Sequence, residues 1–144
     1  MISRRRTREY LLQLLYARAC MPSQFDRDIF FRAYFTEEQS LVLDRQYIAK
    51  MEDIIAIHER DLIDIIAILA PKFDLETMPM LHILILMIAL SEILYLKDDT
   101  VPQSVSINEA IELAKMFSDD QGKSFVNGAL ATFLKDRETI LTQK

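Results

Sequence analysis

Between Asp44 and Ala70 the residues Ile48, Met51, Ile55, His58, Leu62, Ile65 and Leu69 fall at alternating steps of three and four. An α-helix turns that spacing into one continuous stripe, so the stretch predicts a long helix that buries this seam against a neighbour. Pro71 closes it, because proline has no N–H to give and its ring clashes with the preceding turn. Just over three heptads is short for a free-standing coiled coil and ordinary for one member of a bundle.

The rest of the chain agrees with that helix. Two glycines among 144 residues are too few for the tight turns of a sandwich or barrel. The expectation is therefore all-α: a compact helical bundle forming one domain, residues 1–144, with a basic N-terminal arm over about residues 1–8. A first helix is expected from about Arg4 to Cys20, with Leu11, Leu14 and Leu15 on one face and Pro22-Ser23 after it. Phe25, Ile29, Phe30, Ala33 and Tyr34 have helical spacing and Thr36-Glu37-Glu38 resembles a further helix start, which predicts two short helices.

Residues 79–96 form the most apolar stretch. Its length suits a membrane span, but His82, Ser91 and Glu92 interrupt it, and a carboxylate is costly in lipid. A helix that is apolar all round also arises at the centre of a bundle, which is the reading adopted. Lys97 to Gln103 reads as a loop. The next helix carries Ile107, Ala110, Ile111, Ala114 and Phe117 on one face. Its start is open: Ser106 with Glu109 would make a capping box, or Thr100 would cap a helix beginning near Pro102. Ser118 to Gly122 reads as a polar turn, and Phe125, Val126, Ala129, Leu130, Phe133 and Leu134 predict the last helix. Asn127-Gly128 would ordinarily signal a hairpin; the helical period around it makes Gly128 a point of close helix contact instead.

Charge is divided unevenly. The formal net charge is −5, which argues against a protein that coats nucleic acid indiscriminately. Yet residues 1–18 hold Arg4, Arg5, Arg6, Arg8 and Arg18 against Glu9 alone, a local +4, leaving −9 for the remainder. Arginine presents a planar fork of donors to phosphate and stacks on bases, so the cluster is either an RNA-binding arm or a solvated terminus.

Enzyme chemistry finds no support. There is no glycine-rich phosphate loop, no Cys–His nucleophile spacing and no pair of histidines at i and i+4. Cys20 is the only cysteine, which excludes an internal disulfide and suits a reducing, cytoplasmic setting. His58 and His82 stand alone and read as structural or interface residues. Glu92, inside the apolar run, reads as a hydrogen-bonded structural carboxylate. No cofactor, metal or catalytic residue is expected.

One long segment adds a resemblance. Val101-Pro102-Gln-Ser-Val-Ser-Ile-Asn108-Glu109-Ala-Ile-Glu112-Leu-Ala-Lys115-Met-Phe117, followed by Phe125-Val126-Asn127-Gly128-Ala-Leu130, closely resembles the C-terminal signature of the NusB family. Arg4-Arg5-Arg6-Thr-Arg8-Glu9 with Gln13-Leu14-Leu15-Tyr16 is similar to the start of that family, and Ile88-Ala89-Leu90 with Glu92 to its central segment. Residues 20–45 match poorly. The resemblance implies two small packed helical sub-bundles and a non-catalytic transcription antitermination factor. Such a factor binds boxA-type RNA of ribosomal leaders together with NusE, a small-subunit ribosomal protein, and so joins the RNA polymerase elongation complex.

By position, the resemblance makes Arg4, Arg5, Arg6 and Arg8 the RNA-facing arm, bordered by Lys123 and Phe125. It puts Tyr16 and His82 towards the protein partner. A homodimer covering the arginines is compatible with it. Met87, Ser104 and Ser124 stand where the family commonly carries basic residues, and each lost phosphate contact lowers the salt slope of single-strand binding by about 0.7. A helical protein-interaction adaptor that has lost specific RNA binding is the alternative.

Overall fold

The computed structural model describes residues 1–34, 36–96 and 101–143. Every regular element among them is a helix: α1 Arg4–Cys20, α2 Arg27–Tyr34, α3 Glu37–Ser40, α4 Arg45–Leu69, α5 Met80–Ser91 running into a π-helical turn Glu92–Leu96, α6 Gln103–Phe117 and α7 Asp120–Gln143. The all-α expectation and its two short helices after residue 25 match these elements. The chain divides into two units, residues 1–50 and 51–144, with the passage between them inside α4.

Unit 1 is organised around the start of α1. Ser3 caps that helix, its Oγ accepting from the Arg6 N–H at 3.2 Å, which satisfies one of the orphan donors of the first turn. Thr7 is fully buried; its hydroxyl donates to the Ser3 carbonyl at 2.7 Å and accepts from the Asp44 N–H at 2.9 Å. Asp44 in turn accepts from the Tyr47 N–H at 3.1 Å as the cap of α4. One threonine thus holds the N-termini of α1 and α4 together. Tyr10 sits against Phe30 and Phe31 of α2, with ring centres 5.9 and 5.8 Å away. Phe30, a member of the stripe read from spacing, is half-buried there together with Phe31, while Ile29 stays 61% exposed and Ala33 is exposed, so the inward side of α2 matches that stripe only in part. The expected members Leu11, Leu14 and Leu15 are buried, joined by Leu12.

In unit 2, α5 packs against both α6 and α7. Nine consecutive residues, Leu84 to Glu92, are buried, which is the environment an all-round apolar helix requires. No helix among the described residues is long and apolar enough to cross a membrane. The seam of α4 is buried at Met51, Ile55, Leu62, Ile65 and Leu69. His58 alone is half-exposed, its ring stacked on Tyr95 at 3.7 Å with planes 5° apart.

The apolar run 79–96 is not one regular helix. After Ser91 it relaxes into the π turn, and the Glu92 N–H is shared between the carbonyls of Ile88 and Ala89. A π turn inserts one residue, rotating everything downstream by about 100°. Glu92, at 8% exposure, accepts a hydrogen bond from the Ser106 hydroxyl at 2.9 Å, so it is a structural carboxylate as expected.

That bond also removes Ser106 from the capping box. α6 begins at Gln103 with Pro102 in the cap position and no side-chain cap, and Ser106 lies a turn inside, aimed at Glu92. The other candidate cap, Thr100, and most of the expected loop at 97–103 lie outside the described residues. The polar turn expected at 118–122 is shorter than read, because α7 already starts at Asp120.

Candidate functional site

The arginine cluster occupies the opening turns of α1. Arg5 and Arg6 are exposed, Arg4 is half-buried and Arg8 is buried at 4% exposure. Arg4 has structural work: its guanidinium lies 3.3 Å from the Asp44 carboxylate and 4.2 Å from the centre of the Tyr47 ring. Burial takes Arg8 out of the outward-facing charge. No acidic residue stands in the first turn of α1, so the cluster adds positive charge to an end that the helix dipole already makes positive. That placement costs local stability and concentrates positive potential at one spot, the electrostatics that attract phosphate. Tyr16, two turns further along α1, is 42% exposed.

The division into units sharpens the charge argument. Residues 1–50 carry nine arginines and lysines against six acidic residues, net +3; residues 51–144 carry eight against sixteen, net −8. The positive charge of unit 1 therefore comes from its first 18 residues, since residues 19–50 carry four basic side chains against five acidic ones.

The remaining predicted residues lie in unit 2. Phe125 and His82 were assigned to different partners by position, yet their rings stack 5.9 Å apart. Phe73, 58% exposed, meets Phe125 edge-on at 5.1 Å. These three rings line a largely apolar cavity of about 870 Å³ that includes the flank of α7, within the usual size range of ligand sites. Its floor on α7 is made of Gln121, Ser124, Gly128 and Thr132, spaced to share one helix face. The small residues Ser124, Gly128 and Thr132 leave room in the trough. Lys123, on the same helix, is half-buried and is not among the lining residues.

His82 is held from behind. Its Nε2 lies 2.7 Å from the Ser118 hydroxyl, and Gly122, buried in the first turn of α7, lies against both groups. The close helix contact expected at Gly128 is therefore at Gly122. A Cβ on Gly128 would meet nothing within 4 Å. Replacing Gly128 by alanine should then stabilise the fold by up to about 1 kcal/mol through helix propensity alone, read as a raised Tm; a lowered Tm would show hidden crowding in the trough.

Met87, one of the positions lacking an expected cation, is buried at 4% exposure, so no cation is missing from the surface of this chain there. Ser104 and Ser124 are exposed. Among the described residues no group of three or more His, Cys, Asp or Glu side chains is placed to hold a metal ion.

The segments that build these features are those that resemble a known family, and comparison with known proteins decides the matter. The model of the NusB family matches residues 5–135. The chain belongs to the NusB family. It is 34% identical over 137 residues to the transcription antitermination protein NusB of Levilactobacillus brevis, covering 94% of each chain. It is also 34% identical over 145 residues to the protein of that name from Thermodesulfovibrio yellowstonii, covering 94% of this chain and 93% of the relative. The NusB of Finegoldia magna is 32% identical over 140 residues. Membership of the NusB family is thus carried by nearly the whole length, including Arg5, Arg6 and Arg8 of α1 and the α6–α7 turn beside His82.

Proposed function

We propose that this chain is a non-catalytic transcription antitermination factor that binds single-stranded boxA-type leader RNA together with a NusE-type ribosomal protein, and through them joins the elongating polymerase. The observation that carries the reading is the placement of Arg5 and Arg6 on the exposed first turn of α1, in a unit of net positive charge, within a chain of the NusB family. In this reading the arginines supply sequence-independent attachment, and base recognition comes from a surface shared with the partner. Tyr16 and His82 face the protein partner; Lys123 and Phe125 border the RNA. The stacking of Phe125 on His82 supports a joint contact, since a ligand ordering one ring orders the other. The protein acts in the cytoplasm, where transcription takes place.

The test is fluorescence anisotropy with a boxA-like strand and a scrambled control, with and without the NusE-type partner, across a salt series. Sequence-selective binding strengthened by the partner is the expected result. Partner binding with no RNA preference would instead make the chain a protein adaptor, the reading that the exposed Ser104 and Ser124 favour. Sedimentation at several concentrations tests whether a homodimer covers the arginines; a mass independent of concentration would exclude it.

A further inference from the structure

The part of unit 1 that matches the family least contains a second arrangement suited to RNA. Arg45, the first residue of α4, lays its guanidinium over the Phe31 ring, 4.8 Å from its centre. Phe31 is braced from the side by Tyr10, whose ring meets it at 80°, and Tyr10 is itself buried. Arg45 therefore rests on a ring that is itself held by the core, while its own side chain stays exposed. These residues line a cleft of about 240 Å³ together with Arg27, Asp28 and Ile48. Among the described residues, neither the Arg45 guanidinium nor the Asp28 carboxylate takes a hydrogen bond or an ion-pair partner. A cation and an anion thus open on one small cleft without pairing with each other.

That combination selects a ligand. A phosphate alone would satisfy Arg45 and be repelled by Asp28, and an acidic peptide would meet the same conflict. A nucleobase satisfies both: guanidinium planes stack on bases, and a carboxylate accepts from an exocyclic amine. The cleft is smaller than the roughly 300 Å³ at which drug-sized sites begin, which suits one ring system. It also adjoins the basic turn of α1, because Asp44, which holds Arg4, directly precedes Arg45, and Tyr47, which carries the Arg4 cation, follows two residues later.

We propose that this cleft binds one amino-bearing base of a single-stranded RNA, stacked on the outer face of Arg45 above Phe31, with Asp28 accepting a hydrogen bond from the base's exocyclic amine. The inference rests on the RNA-binding reading above and extends it to α2 and α4. It gives this chain a base preference of its own: adenine, cytosine and guanine carry an exocyclic amine, uracil does not.

The experiment measures binding of the full chain to short labelled oligo(A), oligo(C) and oligo(U) by anisotropy, for the wild type and the variants Arg45→Lys, Arg45→Ala and Asp28→Asn, with thermal melts as folding controls. Arg45→Lys keeps the charge and loses the plane, so it should weaken oligo(A) and oligo(C) by about fivefold or more, the loss expected for one stacked base. Arg45→Ala should do the same and leave the salt slope unchanged, because the guanidinium stacks on a base and does not neutralise a phosphate. Asp28→Asn should abolish the preference over oligo(U), raising oligo(U) binding as a repelling charge disappears. If the wild type binds all three strands equally, or Arg45→Lys binds like the wild type, the base pocket is overturned. In that case Arg5→Ala/Arg6→Ala still reports on the RNA-binding reading by itself. If the wild type binds none of the strands, that reading falls and this inference falls with it.

Discussion

Changing Arg5 and Arg6 together to alanine should reduce single-stranded RNA affinity by about fifteenfold at physiological salt without unfolding the protein. Each phosphate contact adds about 0.7 to the salt slope, which at 0.15 M corresponds to roughly a fourfold gain in affinity over the 1 M limit. Two exposed arginines therefore predict a slope reduced by about 1.4 and no loss of folding, since neither side chain belongs to the buried core. Arg4→Ala is expected to behave differently. It removes the 3.3 Å ion pair with Asp44 and the cation over Tyr47, so it should lower stability as well as RNA affinity. Arg8→Ala, at a buried position, should act on stability alone. A salt series with melts on the same three variants separates these outcomes. An unchanged slope for Arg5→Ala/Arg6→Ala would remove the α1 cluster from RNA binding.

That division among four neighbouring arginines shows where sequence reading stops. Arginine type and spacing identify a cluster, but helical phase against Leu11, Thr7 and Tyr10 decides which members face inward, and four like residues within five positions carry no sign of it. Periodicity did reveal the helices, because the α4 seam and the α6 and α7 stripes contrast with polar flanks at regular intervals. It was less informative in 79–96: where nearly every residue is apolar there is little contrast, and the inserted residue of the π turn leaves no trace. Ser106 is a similar case. A serine followed three residues later by Glu109 satisfies the capping-box pattern, yet the buried carboxylate fourteen positions earlier is a stronger claimant for its hydroxyl, and only tertiary structure brings them together. Ser3 carries a local signal of its own, since a serine just before a helical run is a standard cap. The Arg45–Phe31 plate was not, since it joins residues of two helices in the stretch where spacing is least informative.

Gly122 and Gly128 stand six residues apart in α7, and the same substitution should shift stability in opposite directions at the two sites. In an exposed helix, glycine to alanine gains about 1 kcal/mol. At Gly122 that gain is opposed by a Cβ that would collide with the Ser118 hydroxyl and with His82 Nε2, and would approach the Ser118 Cβ to 2.9 Å. The hydroxyl and the imidazole can rotate away, though only by giving up their 2.7 Å hydrogen bond; the Ser118 Cβ moves only with the backbone. Overpacking of this kind costs typically 1–3 kcal/mol, so Gly122→Ala should be net destabilising by about 1 kcal/mol, and Gly122→Val by about 3. For a chain of this length the valine variant should melt several degrees lower. The cost is specific to two named neighbours, so shortening them should relieve it: Ser118→Gly combined with Gly122→Ala should be less destabilised than the sum of the single changes. Displacing His82 also breaks its stack on Phe125, so Gly122→Val should impair partner-dependent RNA binding even at temperatures where the protein remains folded. Full stability in Gly122→Val would mean that the turn between α6 and α7 yields freely and that His82 is not held by it.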